Sequence, residues 1–536
     1  MADQDPIIVA VELGTSRIAG IAGKRKDGNL ILMAYAEENA GDSIKHGVIY
    51  NMEKTTQCVN NVLKKLATRL NLYIDRVYVG IGGQSVLSEA TTIHRNLITQ
   101  SYITNEQMES MRSESAAVSR PDYVLLENFP QEYRVDGRVV ETPVGVQGLE
   151  VEATYLNVIG RRKLSQNIET CFASARVDIA EQKLSGYELG LHVLTDQEKR
   201  AGCVLIDLGA GTTTVVIFSK NILRSLVTIP LGMDNITADL QTLNIEPADA
   251  ERIKREYANA SLDSIETEYG NQPQYVDTSF GQQVELNKIH FVIYARLREI
   301  IENVVSQVNQ SPYSGSLIGG IVLTGGGARI RNIDEFVKTK FAKFGGNVKV
   351  RIAHEITIPV TRQNSLQLPQ GDHSDLTTLL SLLCSGTEEC TGEPYDDGIF
   401  SHREKPVESP SKVAETQEDE TNKHRIENYK ETARQHITEC NAHAEAIRAR
   451  GASKKVRKSA KKFLDEALYL FDDDYEEWRR TVEDKPQHRQ SLRELQELRE
   501  ELEKKIETLE ADYKKANKEN SFWASFRRGL DDIVNE

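Results

Sequence analysis

An α/β fold of two lobes facing a cleft, with a helical extension behind it, is what this sequence predicts, and three observations predict it. Between about residues 6 and 383, short β-rich runs alternate with helical stretches, the pattern of mixed sheets covered by helices. A glycine-bearing turn joins two strand-like runs near the N-terminus, and the same design returns around residue 209. At 536 residues and 60.2 kDa the chain also exceeds what one hydrophobic core usually holds, so at least two packed domains with appendages are expected.

The first element is the string IVAVELGTSRIAGIAG, in which a strand over 7–11 runs into Gly14, Thr15 and Ser16 and then into a second strand. Glycine permits close approach and unusual dihedrals, so such a turn can lay backbone N–H groups and two hydroxyls against a phosphate. An ordinary tight hairpin would read the same way. Another strand candidate covers 76–80. Downstream, GCVLIDLGAGTTTVVIF repeats the design, with strands at 202–206 and 213–218 around Asp207, Gly209, Gly211 and Thr212. An aspartate at a strand end can hold a magnesium ion through water, while the amides of 209–212 cradle the terminal phosphates of a nucleotide. The third turn, in GGIVLTGGGARIRN, sets Gly325, Gly326 and Gly327 after a strand at 320–324 and before a helix-like stretch at 330–340. Backbone there can lie flat against a base and an α-phosphate, with the helix N-terminus helping the anion. Each string alone fits an ordinary turn; the three in this order predict a nucleotide cleft.

Beyond about residue 384 the composition turns rich in Glu, Ser, Thr and Pro, too polar to bury a core, and a disordered linker is expected over 385–424. Three helices follow, over 425–448, 453–480 and 488–517, punctuated by Gly451 and Pro486. In the third, Leu492, Leu495, Leu502, Ile506, Leu509 and Tyr513 fall on a and d positions of one heptad frame, the mark of a short coiled coil or a bundle face. The last stretch, NSFWASFRRGLDDIVNE, gathers Phe522, Trp523, Phe526, Leu530, Ile533 and Val534 on one side of a helical wheel, with Arg527 and Arg528 flanking it. Such a helix can lie in a membrane interface with its aromatics buried and its arginines at the headgroups; docking on the preceding bundle is the other reading.

Composition narrows the function classes. Hydrophobic residues make up 39% and charged residues 27% of the chain, the mix of a soluble globular protein, and no run of apolar residues is long enough to span a membrane. A net charge of −15 argues against general nucleic-acid binding. Residues 401–536 hold 28 Lys and Arg against 31 Asp and Glu, so most of the excess lies in the first 400 residues, and the tail is dense in nearly balanced charge, as solvated helices are. The start, MADQDPIIVAVELG, lacks the basic segment and cleavage site of a signal peptide, which predicts a cytoplasmic chain, and the 6 cysteines, without metal-ligand spacing, read as free thiols.

The three turns resemble the phosphate 1, phosphate 2 and adenosine motifs of the actin, sugar-kinase and heat-shock-chaperone ATPase superfamily. The wording VELGTSRIAGIAG, NFPQEYRVDG followed by TPVGVQG, VLIDLGAGTTTVVIF, PADAERIK and GIVLTGGGARI is similar more specifically to the FtsA family of bacterial cell-division actin homologues, from residue 6 to about 346. Pro130, Gln131, Glu132 and Tyr133 resemble part of the 1C subdomain peculiar to that family. The resemblance implies an actin-like ATPase fold: lobe 1 (1A) over 6–85 and 165–200, a 1C-type subdomain over 86–164, lobe 2 (2A) over 201–233 and 318–384, and subdomain 2B over 234–317. The linker, a helical extension over 425–519 and a membrane-targeting helix over 520–536 would follow.

The resemblance also implies ATP and magnesium as cofactors. Gly14, Thr15 and Ser16 would contact phosphate, Asp207 would position magnesium, and Gly209, Gly211 and Thr212 would close over the terminal phosphates. Gly325, Gly326 and Gly327 would border the adenosine. Glu251 and Lys254, three apart on one helix face, would lie beside ribose and base, although a surface ion pair would look identical. Glu12 stands where actins and sugar kinases have Asp; it is a candidate for catalysis and for the metal, and its extra methylene could displace magnesium-bound water. Gln182, in VDIAEQKLSG, matches a family glutamine near the attacking water. The implied partners are the C-terminal tail of FtsZ at 234–317, further copies in a polymer, inner-membrane lipids and other division proteins, on the inner face of the membrane at the division site. A small-molecule kinase, or a chaperone or pilus-assembly ATPase of the same superfamily, would use the same turns and stays open at this point.

Overall fold

The computed structural model describes residues 5–117, 120–261, 274–342, 348–363, 366, 368, 373–395, 412–448, 459–460, 463, 479 and 489–534, and the chain divides into two compact units, 1–398 and 399–536.

In the first unit, strand Ile8–Leu13 has its first four residues buried, the continuous apolar run that a strand covered on both faces requires. It pairs antiparallel with Arg17–Lys26 and parallel with Arg76–Ile81. These strands sit in a six-stranded sheet in the order Asp178–Leu184, Arg76–Ile81, Ile8–Leu13, Arg17–Lys26, Asn29–Asn39, Val360–Arg362. The helix Met52–Leu70, started by the Asn51 side chain accepting from the Lys54 N–H, lays Val59, Val62, Leu63 and Leu66 into the same core.

Cys203–Leu208 repeats the arrangement: it pairs antiparallel with Thr213–Ser219 and parallel with Gly320–Thr324. The helix Leu286–Gln310 supplies Ile289, Ile293, Leu297, Ile300, Ile301, Val304 and Val308 to this second core, one stripe of a 3.6-residue period. The two lobes thus carry the same supersecondary unit, a hairpin flanked by a parallel strand, which is why the same turn wording recurs.

Residues 86–164 extend the second sheet to nine strands, through Val227 of Ile222–Ile229 against Leu87 of Leu87–Tyr102. Pro130 lies inside the strand Tyr123–Val135, where a central strand would lose a ladder hydrogen bond. A bulge answers this: Glu132 faces Thr154, Pro130 faces the next residue Tyr155, and Gln131 is left over. The buried Gln131 side chain donates to the Leu223 carbonyl at 2.9 Å, and Arg224 returns a bond to Gln131 Oε1 at 3.1 Å, which fastens this subdomain to the second lobe.

The expected boundary of the second lobe at 384 is corrected. Val360–Arg362 pairs with Leu30, Ile31 and Leu32 in the first sheet, and the helix Thr377–Ser385 packs on the first lobe's strands and on the helix Ser185–Val193. Eight of that helix's residues, Thr377 to Cys384, are buried, so it needs cover on every side and finds it between sheet and helix. The expected linker 385–424 is shorter as well. Thr391–Pro394 pairs with Leu72–Ile74, residues 396–411 lie outside the described residues, and helix begins at Lys412.

In the second unit, the helices Lys412–Arg448 and Arg489–Val534 pack side by side. Lys430 binds Glu494 at 2.7 Å and Arg448 binds Asp512 at 2.7 Å, each pair 64 positions apart, so the two helices run parallel. Leu495, Leu502, Ile506 and Leu509 of the expected heptad are buried, against Ile426, Ile437, Cys440, Ala444 and Ile447, with Ala460 and Phe463 of the intervening segment in the same core. Leu492 is half-buried. Tyr513 and the membrane candidates Phe522, Trp523, Phe526, Arg527, Arg528, Leu530 and Ile533 lie outside the residues whose side chains are described. Most of the expected helix 453–480 also lies outside the described residues. The separate terminal helix is corrected in one respect: the backbone is helical without a break over 46 residues, a rod of about 69 Å. Among the described residues no helix is long and apolar enough to cross a membrane.

The parallel register has a direct test. In the full chain, R448C with D512C should be bridged by a short flexible bis-maleimide, because the Arg448 and Asp512 side chains meet at 2.7 Å and hold the two backbones within such a linker's reach, whereas position 490 lies about 33 Å from 512 along the same helix. R448C with Q490C should not; the reverse outcome would mean the helices are antiparallel.

Candidate functional site

A cavity of about 940 Å³ opens between the lobes, and Glu12, Gly14, Thr15, Ser16, Asp207, Gly209, Gly211, Thr212, Glu251, Lys254, Gly325, Gly326 and Gly327 all line it. Residues as far apart as 14 and 327 in sequence are brought together because each lobe ends its central strand at the cleft.

The two hairpin turns are built alike. Gly14 N–H donates to the Arg17 carbonyl at 3.0 Å, and Gly209 N–H donates to the Thr212 carbonyl at 2.9 Å. They meet at the floor of the cavity, where Gly211 faces Thr15: a Cβ on Gly211 would lie 2.6 Å from Thr15 Oγ1. The contact is bracketed from the first lobe by Gly47 N–H donating to Thr15 Oγ1 at 3.1 Å and by His46 Nδ1 on the Gly211 carbonyl at 2.8 Å. Behind the second turn, the helix Met233–Gln241 donates its first amides to it, Met233 to Gly209 and Asp234 to Ala210.

The third turn closes on the second. Gly325 has φ +85°, and a Cβ there would lie 2.3 Å from Asp207 Oδ1 and 2.8 Å from the Leu208 carbonyl. Around Gly326 nothing stands within 4 Å of the Cβ position. After the turn the chain makes a 3₁₀ turn, Gly326–Arg329, and then the helix Ile333–Phe341, slightly later than the expected 330–340. On the helix Pro247–Tyr257, Glu251 and Lys254 do form the ion pair, at 2.6 Å, and both line the cavity. Burial would raise the Glu251 carboxyl, but Lys254, Arg255 and Thr237 together hold it below its ordinary value. Lys254 also donates to the Met233 carbonyl at 3.2 Å, which ties this helix to the second turn.

Two acids face each other across the floor. Burial pushes the Glu12 carboxyl up to about 7, with the Arg17 charge opposing and Asp207 and Asp375 adding to it. Burial pushes the Asp207 carboxyl up to about 6. Carboxylates raised in this way are returned to their charged forms by a cation. The pair fits magnesium, which binds through one or two carboxylates and takes waters and phosphate oxygens as its other ligands.

Gln182 is a correction. It lines a separate cavity of about 420 Å³ with Ile81, Leu126 and Ile179, where its amide accepts from Ser165 at 2.8 Å and donates to Glu169 at 3.0 Å. The cause is the bulge between Ile179 and Glu181 in the parallel pairing of Asp178–Leu184 with Arg76–Ile81, which resets which residues of the strand face which way. Conversely, Arg17, Asp234, Arg329, Arg331 and Asp375 line the main cavity without having been singled out. Arg17 directly follows the first turn and Arg329 lies two residues beyond the third, a local signal; Asp375 carries none.

Comparison with known proteins agrees with this geometry. The family model for cell division protein FtsA matches residues 204–369, and the model for the SHS2 domain inserted in FtsA matches 83–159. The cell division protein FtsA of Porphyromonas gingivalis is 28% identical over 344 residues, 62% of this chain and 70% of that one. The same protein of Neisseria meningitidis is 26% identical, covering 64% of this chain and 83% of its own. Among solved structures, a chain of the PilM-PilN type IV pilus biogenesis complex superposes with a TM-score of 0.50 at 15% identity, over 71% of this chain and 98% of that one, a likeness of fold.

The raised acids set a pH dependence. Their protonated forms contribute stability in full below their ordinary values of 4.5 and 3.8, and this is lost as pH rises through about 6 for Asp207 and about 7 for Glu12. Without nucleotide or divalent cation, the thermal unfolding midpoint of the first unit should therefore fall from pH 5 to pH 7, and E12Q should flatten the upper part of that fall. An unchanged slope in E12Q would contradict the assignment.

Proposed function

Because the chain belongs to the FtsA family of actin-like cell-division proteins, we propose that it binds ATP with magnesium in the cleft, polymerises, and tethers FtsZ to the inner face of the cytoplasmic membrane, where later division proteins gather. The observation that carries the reading is the convergence of three glycine turns on one cavity of about 940 Å³. Gly14, Thr15 and Ser16 hold phosphate from the first lobe, and Gly209, Gly211 and Thr212 close on the terminal phosphates from the second. Gly325, Gly326 and Gly327 border the adenosine, with Glu251 and Lys254 beside the ribose and base. Asp207 orients the metal through water, with Glu12 opposite. Magnesium held there would supply the counter-charge that lets the two acidic strand ends, Glu12 and Asp207, stay ionised beside the phosphates. Gln182 lines another cavity, so the proposal is nucleotide binding and closure, with no hydrolytic base assigned.

Membrane attachment rests on the sequence of residues 520–536, with Phe522, Trp523, Phe526, Leu530 and Ile533 for the interface and Arg527 and Arg528 for the headgroups. One short helix binds weakly; a polymer multiplies it through effective concentration. The FtsZ tail is taken by subdomain 234–317, where Tyr275, Phe280 and Phe291 are exposed and supply aromatic anchors of the kind that dominate interfaces.

Co-sedimentation with anionic liposomes tests the reading. The full chain should pellet with liposomes when Mg·ATP is present, and should carry an FtsZ C-terminal peptide with it. A chain ending at Glu519 should bind the peptide but stay in the supernatant. Equal pelleting of the two chains, or of neither, would refute the terminal anchor.

A further inference from the structure

The stretch Ser374–Leu376, which leads into the helix Thr377–Ser385 packed on the first lobe, is laced to the third turn. Ser374 takes the Gly325 N–H on its carbonyl at 3.0 Å and donates its hydroxyl to the Gly325 carbonyl at 3.2 Å. The Thr324 hydroxyl reaches the Ser374 carbonyl at 3.2 Å and the Thr377 hydroxyl at 2.9 Å. Next to Ser374 stands Asp375, whose groups point both ways across the cleft. Arg17, on the far side of the first turn, donates Nη1 to Asp375 Oδ2 at 2.9 Å and Nη2 to the Asp375 carbonyl at 2.8 Å. Arg329, at the end of the third turn, donates Nη2 to Asp375 Oδ1 at 2.5 Å.

We propose that Asp375 is a positioning residue of the cleft: one carboxylate, gripped by an arginine from each side, fixes the phosphate-holding turn of the first lobe relative to the adenosine-bordering turn of the second. This rests on the reading of the cavity as a nucleotide site. The two-point grip on Arg17, one nitrogen on the side chain and one on the main chain, leaves the guanidinium little freedom to rotate. Arg17 is the first residue after the turn Gly14, Thr15, Ser16, and Glu37 holds its Nη1 from the other side at 3.3 Å, so a fixed Arg17 means a fixed turn. All three residues line the cavity, yet Asp375 is an anion in a site for an anionic ligand. Its service is therefore to the two arginines and not to the phosphates.

A staple that only supports folding and a residue that positions two turns differ in one respect. The staple's loss weakens the empty protein and every ligand alike. Loss of positioning weakens only a ligand long enough to touch both turns at once, because such a ligand must then restore their relative placement out of its own binding energy. Mg·ATP is such a ligand; of the two turns that Asp375 joins, adenosine reaches only the third-turn side and tripolyphosphate only the first-turn side.

The test uses the full chain, D375N, which keeps the shape and removes the charge, and D375E, which keeps the charge. Calorimetric titration with Mg·ATP, adenosine and magnesium tripolyphosphate gives three dissociation constants for each. D375N should weaken Mg·ATP about tenfold or more and change the two fragments by less than about twofold, with D375E recovering most of the loss. Wild-type affinity for Mg·ATP in D375N would overturn the proposal. So would equal losses for all three ligands alongside a lowered unfolding midpoint, which is the signature of a staple. If the wild-type chain binds none of the three, the nucleotide reading itself falls and takes this proposal with it.

Discussion

The architecture of the first unit hangs on how closely glycine backbone approaches its neighbours at the floor of the cleft. Gly211 of one hairpin turn sits against Thr15 of the other, and Gly325 of the third turn sits against the Asp207 carboxylate, in both cases closer than any side chain would permit. The strands behind these turns, Ile8–Leu13 and Cys203–Leu208, are largely buried, so two well-packed sheets hold the turns in place together with the turns' own hydrogen bonds. Small residues at the ends of stiff strands bring main chain to the floor of the cavity, with charged side chains around it, which suits a ligand recognised through phosphates and a flat base.

The electrostatics follow from the same closeness. Burying Glu12 and Asp207 beneath the turns raises both carboxyls; Arg17 is the cation that opposes the rise at Glu12, and the neighbouring Asp207 and Asp375 add to it. The site therefore resists being empty and charged at neutral pH. The divalent cation of the proposed nucleotide would resolve that conflict, and the His46 bond to the Gly211 carbonyl and the Arg17 grip on Asp375 tie the first lobe to the turns around the cavity.

What the sequence made legible was local. The strand 320–324 is found where it was read, and the thirteen nucleotide candidates lie in one cavity, because turn chemistry and strand patterning are written in adjacent residues. Gln182 was misplaced because a bulge at Ile179–Glu181 cannot be counted from residue types. Asp375 was overlooked because its partner Arg17 lies 358 positions away. The return of Thr377–Ser385 to the first lobe was missed for a related reason: an evenly apolar helix announces burial but not against what. In the second unit four of the six heptad residues, Leu495, Leu502, Ile506 and Leu509, are buried as read, while the parallel direction of the helices emerged only from the constant offset of two ion pairs.

The central claim is that three turns from two lobes respond to one ligand. Hydrogen exchange of the full chain, with and without Mg·ATP, tests it most directly. The account predicts that peptides covering 12–17, 207–212 and 325–329 gain protection together, over the same nucleotide concentrations. Protection of one turn without the others, or none at saturating Mg·ATP, would contradict it.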